Sequence, residues 1–586
     1  MTSSCGRSCG LLPLPLGLQL LLVLFLCLVP SVAPAGTSLL SGVQCSTCNT
    51  LGPVAVALVR MTHSVAILRG QALSACRLLP VTETVCRGFI DNWAESVEYI
   101  LLHTKLTPAQ MCRIFLPSCP AEKGLKLDVT LDLPRPPPAS RAKRRDAHYP
   151  PPSTPGLKVL HLADIHLDVH YKEGADNGCD DPLCCRAENG FPKERSRQAA
   201  HWGEYRCDAP PRLLHSLIDH VARKHKDELS YVLWTGDTAP HDSWKTTRKD
   251  VLDLTARVTS LLRHKLAGVP VYPVIGNHDS APTNYFPPSE VRKGNFSVSW
   301  LYHDYAKMWK HWLPADALAT LRKAGFYSVL VRPGFRIIVL NTNVAYRFNL
   351  WVLLTATSDP HHQLKWLAGE LRAARAAGER CHVVGHVSPA DPDILPGWSH
   401  LYHSVIRSYQ DVVTAQFFSH THLNEIQLYK DDRDRPFSVS YVAPSLTPWQ
   451  NVNPGYRIYT IDGDRGNRSS WEVIDYERWV ADLAEANERP EKGPRWHLQM
   501  SAAARYRLKN LSPRRWSRMV KKMLVYGRKF DKYYSDLSGA ASVVGPCDIE
   551  CRIRTVCGVV SSDGTNSHHC RLVRLLYQMG TAAGLS

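Results

Sequence analysis

The sequence predicts a multidomain protein: an all-α region stapled by cysteines, then an α/β core, then a helical, disulfide-bonded C-terminal region. Three observations predict it. The 586 residues exceed what a single hydrophobic core supports. A proline-rich stretch, "LDLPRPPPASRAKRRDAHYPPPSTPG", separates a region of helical periodicity from one in which strands and helices alternate. The cysteines fall into separate clusters of even count.

Residues 1–35 read as a signal peptide. Arg7 precedes an apolar run to about Pro30, and "APA" at Ala33–Ala35 offers small residues for cleavage. Pro13, Pro15 and that small-residue exit favour cleavage over a membrane anchor. No later stretch is apolar and long enough to span a bilayer, so the mature chain is expected to be luminal or secreted. Cysteine usage fits an oxidising compartment. Cys5, Cys9 and Cys27 leave with the signal. Cys45, Cys48, Cys76, Cys86, Cys112 and Cys119 form an N-terminal set; Cys179, Cys184, Cys185 and Cys207 a middle one; Cys547, Cys551, Cys557 and Cys570 a C-terminal one. Cys381 is left over inside "RCHVVGH", a buried-strand pattern, and reads as a packing residue. Glycosylation sequons at Asn295, Asn467 and Asn510 suit a secretory protein.

Residues 41–123 have helical periodicity, with Phe89, Ile90, Trp93, Val97, Ile100 and Leu101 assigned to one face. "LTPAQMC" supplies Thr107 as an N-cap and Pro108 in the first turn. The C-x-x-C start, the central Cys76 and Cys86 and the closing Cys112 and Cys119 resemble a B-type saposin domain. That resemblance implies the pairs Cys45–Cys119, Cys48–Cys112 and Cys76–Cys86, and a lipid-binding role. Residues 124–155 are the expected spacer, within which "RAKRR" is a candidate processing site.

The formal charge of +17 raises nucleic acid as a partner, but no finger, RNP or helix-turn-helix pattern accompanies it, so none is expected. The densest basic run, "RYRLKNLSPRRWSRMVKKMLVYGRKF", has helical spacing and reads as a solvated face or as a surface for anionic lipid.

From residue 156 to 470, "GLKVLHLA", "YVLWTGD", "VYPVIGNHD", "RIIVLNTN", "CHVVGH" and "AQFFSHTH" run apolar into a polar end, separated by helical stretches. In such α/β cores, sites lie beyond the carboxyl ends of strands. Those ends deliver Asp164 and His166, Asp237, Asn277 and His278, His386, then His420 and His422. Successive strand residues alternate faces, so Asp164 and His166 share one. Gly236, Gly276 and Gly385 precede ligand-type residues where tight turns need backbone freedom. Imidazole and carboxylate together suit zinc.

The ordered series D-x-H, G-D, G-N-H-D, G-H, H-x-H resembles the calcineurin-like metallophosphoesterases, with Ser419 in place of the usual glycine before the last motif. That resemblance implies a sandwich of two β-sheets flanked by helices and holding two Zn²⁺. Asp164, His166, Asp237 and His422 would hold one ion; Asp237, Asn277, His386 and His420 the other, with Asp237 bridging. It also implies in-line attack on phosphorus by a hydroxide shared by the ions, with His278 and His241 as proton donors to the leaving oxygen.

A saposin-like region joined to such a core resembles the acid sphingomyelinase family, a likeness carried further by "DPLCC", "WGEY", "LWTGD", "VYPVIGNHDS" and "NPGYR". It implies hydrolysis of sphingomyelin to ceramide and phosphocholine, with membrane lipid as partner and a monomeric chain. Phe348 and Trp449 depart from that family, whose vertebrate forms carry an acidic residue and a tyrosine there near the choline group. Rival expectations are a phosphodiesterase for nucleotides or other soluble esters, and a lipid-binding protein without catalysis. Residues 471–586 are expected to form the helical C-terminal domain.

Overall fold

A computed structural model describes residues 38–77, 81–116, 119, 129–138, 149–291, 294–356, 358–566 and 568–582. The signal peptide, the "RAKRR" run and part of the proline-rich spacer lie outside the described residues. The chain divides into two units, Met1–Gly124 with Asp180–Pro182, and Leu125–Cys179 with Leu183–Ser586.

The first unit has helices α1 (Ser38–Thr62), α2 (Val65–Cys76), α3 (Glu83–His103) and α4 (Pro108–Phe115). Capping chemistry sets two of the starts. Thr82 accepts from the Val85 N–H, and Thr107 forms a capping box with Gln110 behind Pro108. The disulfides are Cys45–Cys119, Cys48–Cys112 and Cys76–Cys86, the pairs that the saposin resemblance implies. The single apolar face read for α3 is turned inward, though not to equal depth. Ile90, Ile100 and Leu101 are buried with Val85 and Ala94, while Phe89, Trp93 and Val97 are half-buried. At about 100° per residue all six fall within an arc of about 120°, the width of one amphipathic face.

In the second unit, β1 (Leu157–Leu162), β2 (Leu229–Trp234) and β3 (Val271–Pro273) are parallel neighbours and almost wholly buried. Burial on both sides explains their nearly unbroken apolar runs. Helices α5 (Pro211–Lys224) and α6 (Arg248–Lys265) make the crossovers. On α5, Leu213, Leu214, Leu217, Ile218 and Val221 face inward at helical spacing, each worth about 1.5–3 kcal/mol of burial. Helices α7 (Ser299–Trp309) and α8 (Ala315–Ala324) lead to the second sheet. There β4 (Tyr327–Arg332) is antiparallel to β5 (Phe335–Val339), and β5, β6 (Arg380–Val387), β7 (Val413–Ser419) and β9 (Pro436–Val442) are parallel neighbours. Strand β8 (Glu425–Lys430) edges that sheet antiparallel to β9. Strand β10 (Gly455–Ile461) returns to pair antiparallel with β1.

The first sheet does not end at residue 470. Strands β11 (Val473–Val480) and β12 (His497–Ser501) extend it to the order β12-β11-β10-β1-β2-β3, beside a second sheet β4-β5-β6-β7-β9-β8. The stretch expected to open a helical domain therefore supplies two strands. Its "VIDYERWV" segment carries a strand signal, with Asp475 and Glu477 half-buried between buried neighbours. Beyond it come α9 (Ala502–Tyr506), α10 (Pro513–Val525), α11 (Gly527–Leu537), α12 (Ile549–Val560) and α13 (His568–Ala582). Trp516, Met519, Val520, Met523, Phe530 and Tyr533 of these helices join the same apolar core as the sheets. Cys547–Cys551 and Cys557–Cys570 close this region, and Cys179–Cys184 and Cys185–Cys207 a loop after β1. Cys381 is buried and unpaired, its thiol pushed up to about 12 by burial, as suits a packing residue.

Candidate metal centre

The strand ends turn abruptly where the ligand-type residues stand. Asp164, His166, Asp237, His420 and His422 all take the left-handed backbone conformation, with φ of 46°, 40°, 54°, 80° and 63°. Non-glycine residues adopt it rarely, and surrounding structure must hold it. Here the loops after β1 and β2 zip together, with the N–H groups of Asp164, His166 and Leu167 donating to the carbonyls of Gly236, Asp237 and Thr238. A Cβ on Gly276 would overlap the Asp237 backbone and carboxylate, so glycine is required there.

The structure brings all seven expected ligand residues together. The ligand atoms of Asp164, His166 and His422 lie within 4.8 Å of one another, and so do those of Asp237, His386 and His420. Asp237 Oδ2 stands 3.5 Å from His166 Nε2 and 3.1 Å from His386 Nε2, between the two groups. Asn277 Oδ1 lies 2.9 Å from His386 Nε2, while its Nδ2 donates to Asn284 Oδ1.

The polarity of these atoms suits a cation. His166 Nδ1 faces the Ala239 carbonyl at 2.8 Å, and His422 Nδ1 faces the Trp449 carbonyl at 3.4 Å. A ring nitrogen facing a carbonyl carries the proton, which leaves the other as a lone pair. The two Nε2 atoms then oppose each other at 3.2 Å with no hydrogen between them. Burial pushes Asp164 up to about 8 and His422 down to about 3, so neither keeps its charge unaided. His386 moves the other way: burial opposes its charge, but Asp237 and then Asp164 hold it up at about 9. A cation would displace that proton. Ser419 fits without disturbing the turn. Its hydroxyl donates to the Thr235 carbonyl at 3.1 Å, which also faces His386 Nδ1 at 2.7 Å.

His241 and His278 join His166 in a third cluster. The His241 ring is stacked between His166, at 3.9 Å, and Trp449, at 3.7 Å between centroids. His278 meets both histidines edge-on, and its N–H donates to Asp237 Oδ1 at 2.8 Å. Burial holds His241 near about 3 and His278 near about 4, so both rings are neutral. Phe348 lies edge-on to Tyr346, which in turn lies edge-on to His420.

Three supporting residues, Asp208, Asp279 and Arg186, escaped the sequence reading. Asp208 is fully buried and holds His241 by both its backbone N–H and its ring. Asp279, in "GNHD", accepts from the N–H groups of Gly276, Asp237 and Thr238 and so shapes two ligand loops. The buried Arg186 guanidinium donates to Asp168 at 2.8 Å and Asp242 at 2.6 Å, tying the loop after His166 to the one after His241. The Cys185–Cys207 disulfide adjoins both Arg186 and Asp208. The sequence offered a faint signal: Asp168 closes "HLADIHLD" and Asp242 follows His241.

Comparison with known proteins agrees with this geometry. Residues 157–424 match the model of the calcineurin-like phosphoesterases, and residues 435–575 that of the acid sphingomyelin phosphodiesterase C-terminal region. A sphingomyelin phosphodiesterase of Bos taurus is 37% identical over 90% of this chain and 83% of its own length. The chain belongs to the sphingomyelin phosphodiesterase family. The Homo sapiens sphingomyelin phosphodiesterase is 36% identical over 90% of the chain and 82% of its own length. A cyclic GMP-AMP phosphodiesterase, SMPDL3A of Bos taurus, is 30% identical over 70% of the chain and 89% of its own length. As a member of the sphingomyelin phosphodiesterase family, the protein is a hydrolase with an α/β metallophosphoesterase core and buried Asp and His groups able to bind metal.

Proposed function

We propose that the protein is a zinc-dependent phosphodiesterase that cleaves sphingomyelin to ceramide and phosphocholine. The observation that carries this is the convergence of carboxylate, carbonyl and imidazole acceptor atoms around Asp237 Oδ2, a set of ligand types that suits a metal cation. Asp164, His166, Asp237 and His422 would hold one zinc, and Asp237, Asn277, His386 and His420 a second. Zinc bound there would acidify a water and offset charge on the phosphate.

The chain's own groups supply the rest. Asp208 fixes the Nδ1 side of His241, which leaves Nε2 as the working nitrogen. His278 is held by the Asp237 carboxylate through its backbone. A bound phosphodiester adds a negative charge beside both rings, which raises their affinity for a proton. Either could then pass that proton to the ceramide oxygen as the P–O bond breaks. Trp449 and Phe348, aromatic faces near the site, suit a quaternary ammonium.

Residues 41–123 would act as a saposin-type lipid-binding domain and residues 1–35 as a signal peptide, on a monomeric lysosomal or secreted chain. No helix among the described residues is long and apolar enough to cross a membrane.

Hydrolysis of a soluble phosphodiester is the second reading, favoured by the 30% identity to the cyclic GMP-AMP phosphodiesterase. The sphingomyelin phosphodiesterases match 90% of the chain against its 70%, which favours the lipid. Purified protein, chelated and reloaded with zinc, is assayed against sphingomyelin vesicles, phosphatidylcholine vesicles and a nucleotide diester. Zinc-dependent release of phosphocholine from sphingomyelin is expected. A zinc-loaded protein that turns over only the nucleotide would establish the second reading.

A further inference from the structure

We infer that the junction between α10 and α11 is a docking surface for an anionic bilayer. This rests on the proposed lipid substrate and places a contact for the membrane on the C-terminal helices of the second unit.

Each helix is anchored by an apolar stripe at helical spacing: Trp516, Met519, Val520 and Met523 on α10, and Phe530, Tyr533 and Leu537 on α11. The helices meet at Tyr526, which ends one and caps the start of the next. There the pattern inverts. Val525 is 72% exposed and Tyr526 59%, two large apolar side chains turned to solvent between helices whose other apolar residues are buried or half-buried. Lys521, Lys522, Arg528 and Lys529 surround them, all exposed. None of these four pairs with a carboxylate among the described residues, although other basic groups of the region do, as Arg505 does with Asp536 and Arg552 with Asp531.

The tip is held rigidly. The Tyr526 N–H donates to the Lys522 carbonyl, and the Lys529 N–H to the Tyr526 carbonyl. The Arg552 guanidinium lies over the Phe530 ring at 4.6 Å. At the other end of α11, the Leu537 carbonyl accepts from the Asn424 N–H at 2.9 Å, two residues from His422. Eleven residues of α11 therefore connect the tip to a metal-site loop, about 16 Å along the helix axis.

An aromatic–aliphatic pair ringed by unpaired cations matches a bilayer interface: apolar atoms enter the headgroup boundary while the cations meet lipid phosphates. A duplex nucleic acid would use the cations but offers nothing to Val525.

The full-length protein is tested by flotation with vesicles of phosphatidylcholine alone or mixed with phosphatidylserine. The variant K521Q/K522Q/R528Q/K529Q should lose roughly 100-fold of its preference for the anionic vesicles. V525S/Y526S should weaken binding to both kinds. Turnover of a soluble phosphodiester should stay unchanged in both variants, since none of these residues touches the site. A control, R263Q/K310Q/R322Q/K323Q, removes as many exposed charges elsewhere and should keep the preference. Undiminished preference in the quadruple tip variant, or equal loss in the control, overturns the assignment. So does a tip variant that loses only duplex DNA binding. Sphingomyelin turnover in detergent micelles reads the proposed function separately, because micelles need no docking to a bilayer.

Discussion

Asp208 Oδ1 lies 2.8 Å from His241 Nδ1, and Oδ2 of the same carboxylate accepts the His241 backbone N–H at 2.6 Å. Thr447 donates to it as well, at 3.0 Å. One buried group thus sets both the tautomer and the position of a ring that is also clamped between His166 and Trp449. Burial pushes Asp208 up to about 7, against these hydrogen bonds.

Asp208→Asn should lower turnover of sphingomyelin by roughly 10²-fold, within the range of a lost positioned proton donor. Combined with His241→Ala it should add almost nothing, because the carboxylate acts through that ring. Additive losses in a double-mutant cycle would place Asp208 in a separate role.

Asp237→Ala should abolish activity at any zinc concentration, since its Oδ2 stands within 3.5 Å of a histidine from each metal group. Metal content measured by mass spectrometry should fall below that of a His420→Ala variant, which removes a ligand from one group alone. Two ions still bound per chain would defeat the bridging assignment.

Arg186→Met should destabilise the protein by about 3–5 kcal/mol, because it leaves the buried carboxylates of Asp168 and Asp242 without their cation. Thermal unfolding with intact disulfides measures this. The Asp168→Asn, Asp242→Asn, Arg186→Met triple variant should recover part of the loss, since no buried charge remains. An unchanged midpoint in Arg186→Met would show that the pair contributes little.

Deleting Ser41–Lys123 should abolish hydrolysis of vesicle sphingomyelin, with partial recovery in detergent. Extracting the lipid exposes acyl chains at about 0.8 kcal/mol per CH₂, a cost that a lipid-binding domain would offset. Turnover of a soluble diester should survive, provided circular dichroism shows the truncated chain folded. Full vesicle activity in such a truncation would remove the lipid-presenting role.

The ligand residues were legible because strand-end chemistry is local. Asp164, His166, Asp237, Asn277, His420 and His422 each stand in a short motif just beyond an apolar strand, and His386 is the penultimate residue of β6 rather than lying past its end as expected. The disulfide pairs of the first unit were legible through cysteine spacing and the family it resembles. The alternation of apolar strands with helical stretches also marked the α/β core, while the parallel pairing of β1, β2 and β3 is a finding of the structure that accounts for apolar runs with no solvated face. The reach of the first sheet was not legible. Strand β11 acquires its place by pairing with β10, and β12 by pairing with β11, hydrogen-bonded registers that no local pattern encodes. Asp208 and Arg186 were invisible for the same reason. Each is a charged residue in an irregular loop, where solvation is the ordinary state, and only tertiary packing buries it against His241 in one case and Asp168 and Asp242 in the other. Burial is a property of the assembled core, and it turns those charges from surface groups into the supports of the site.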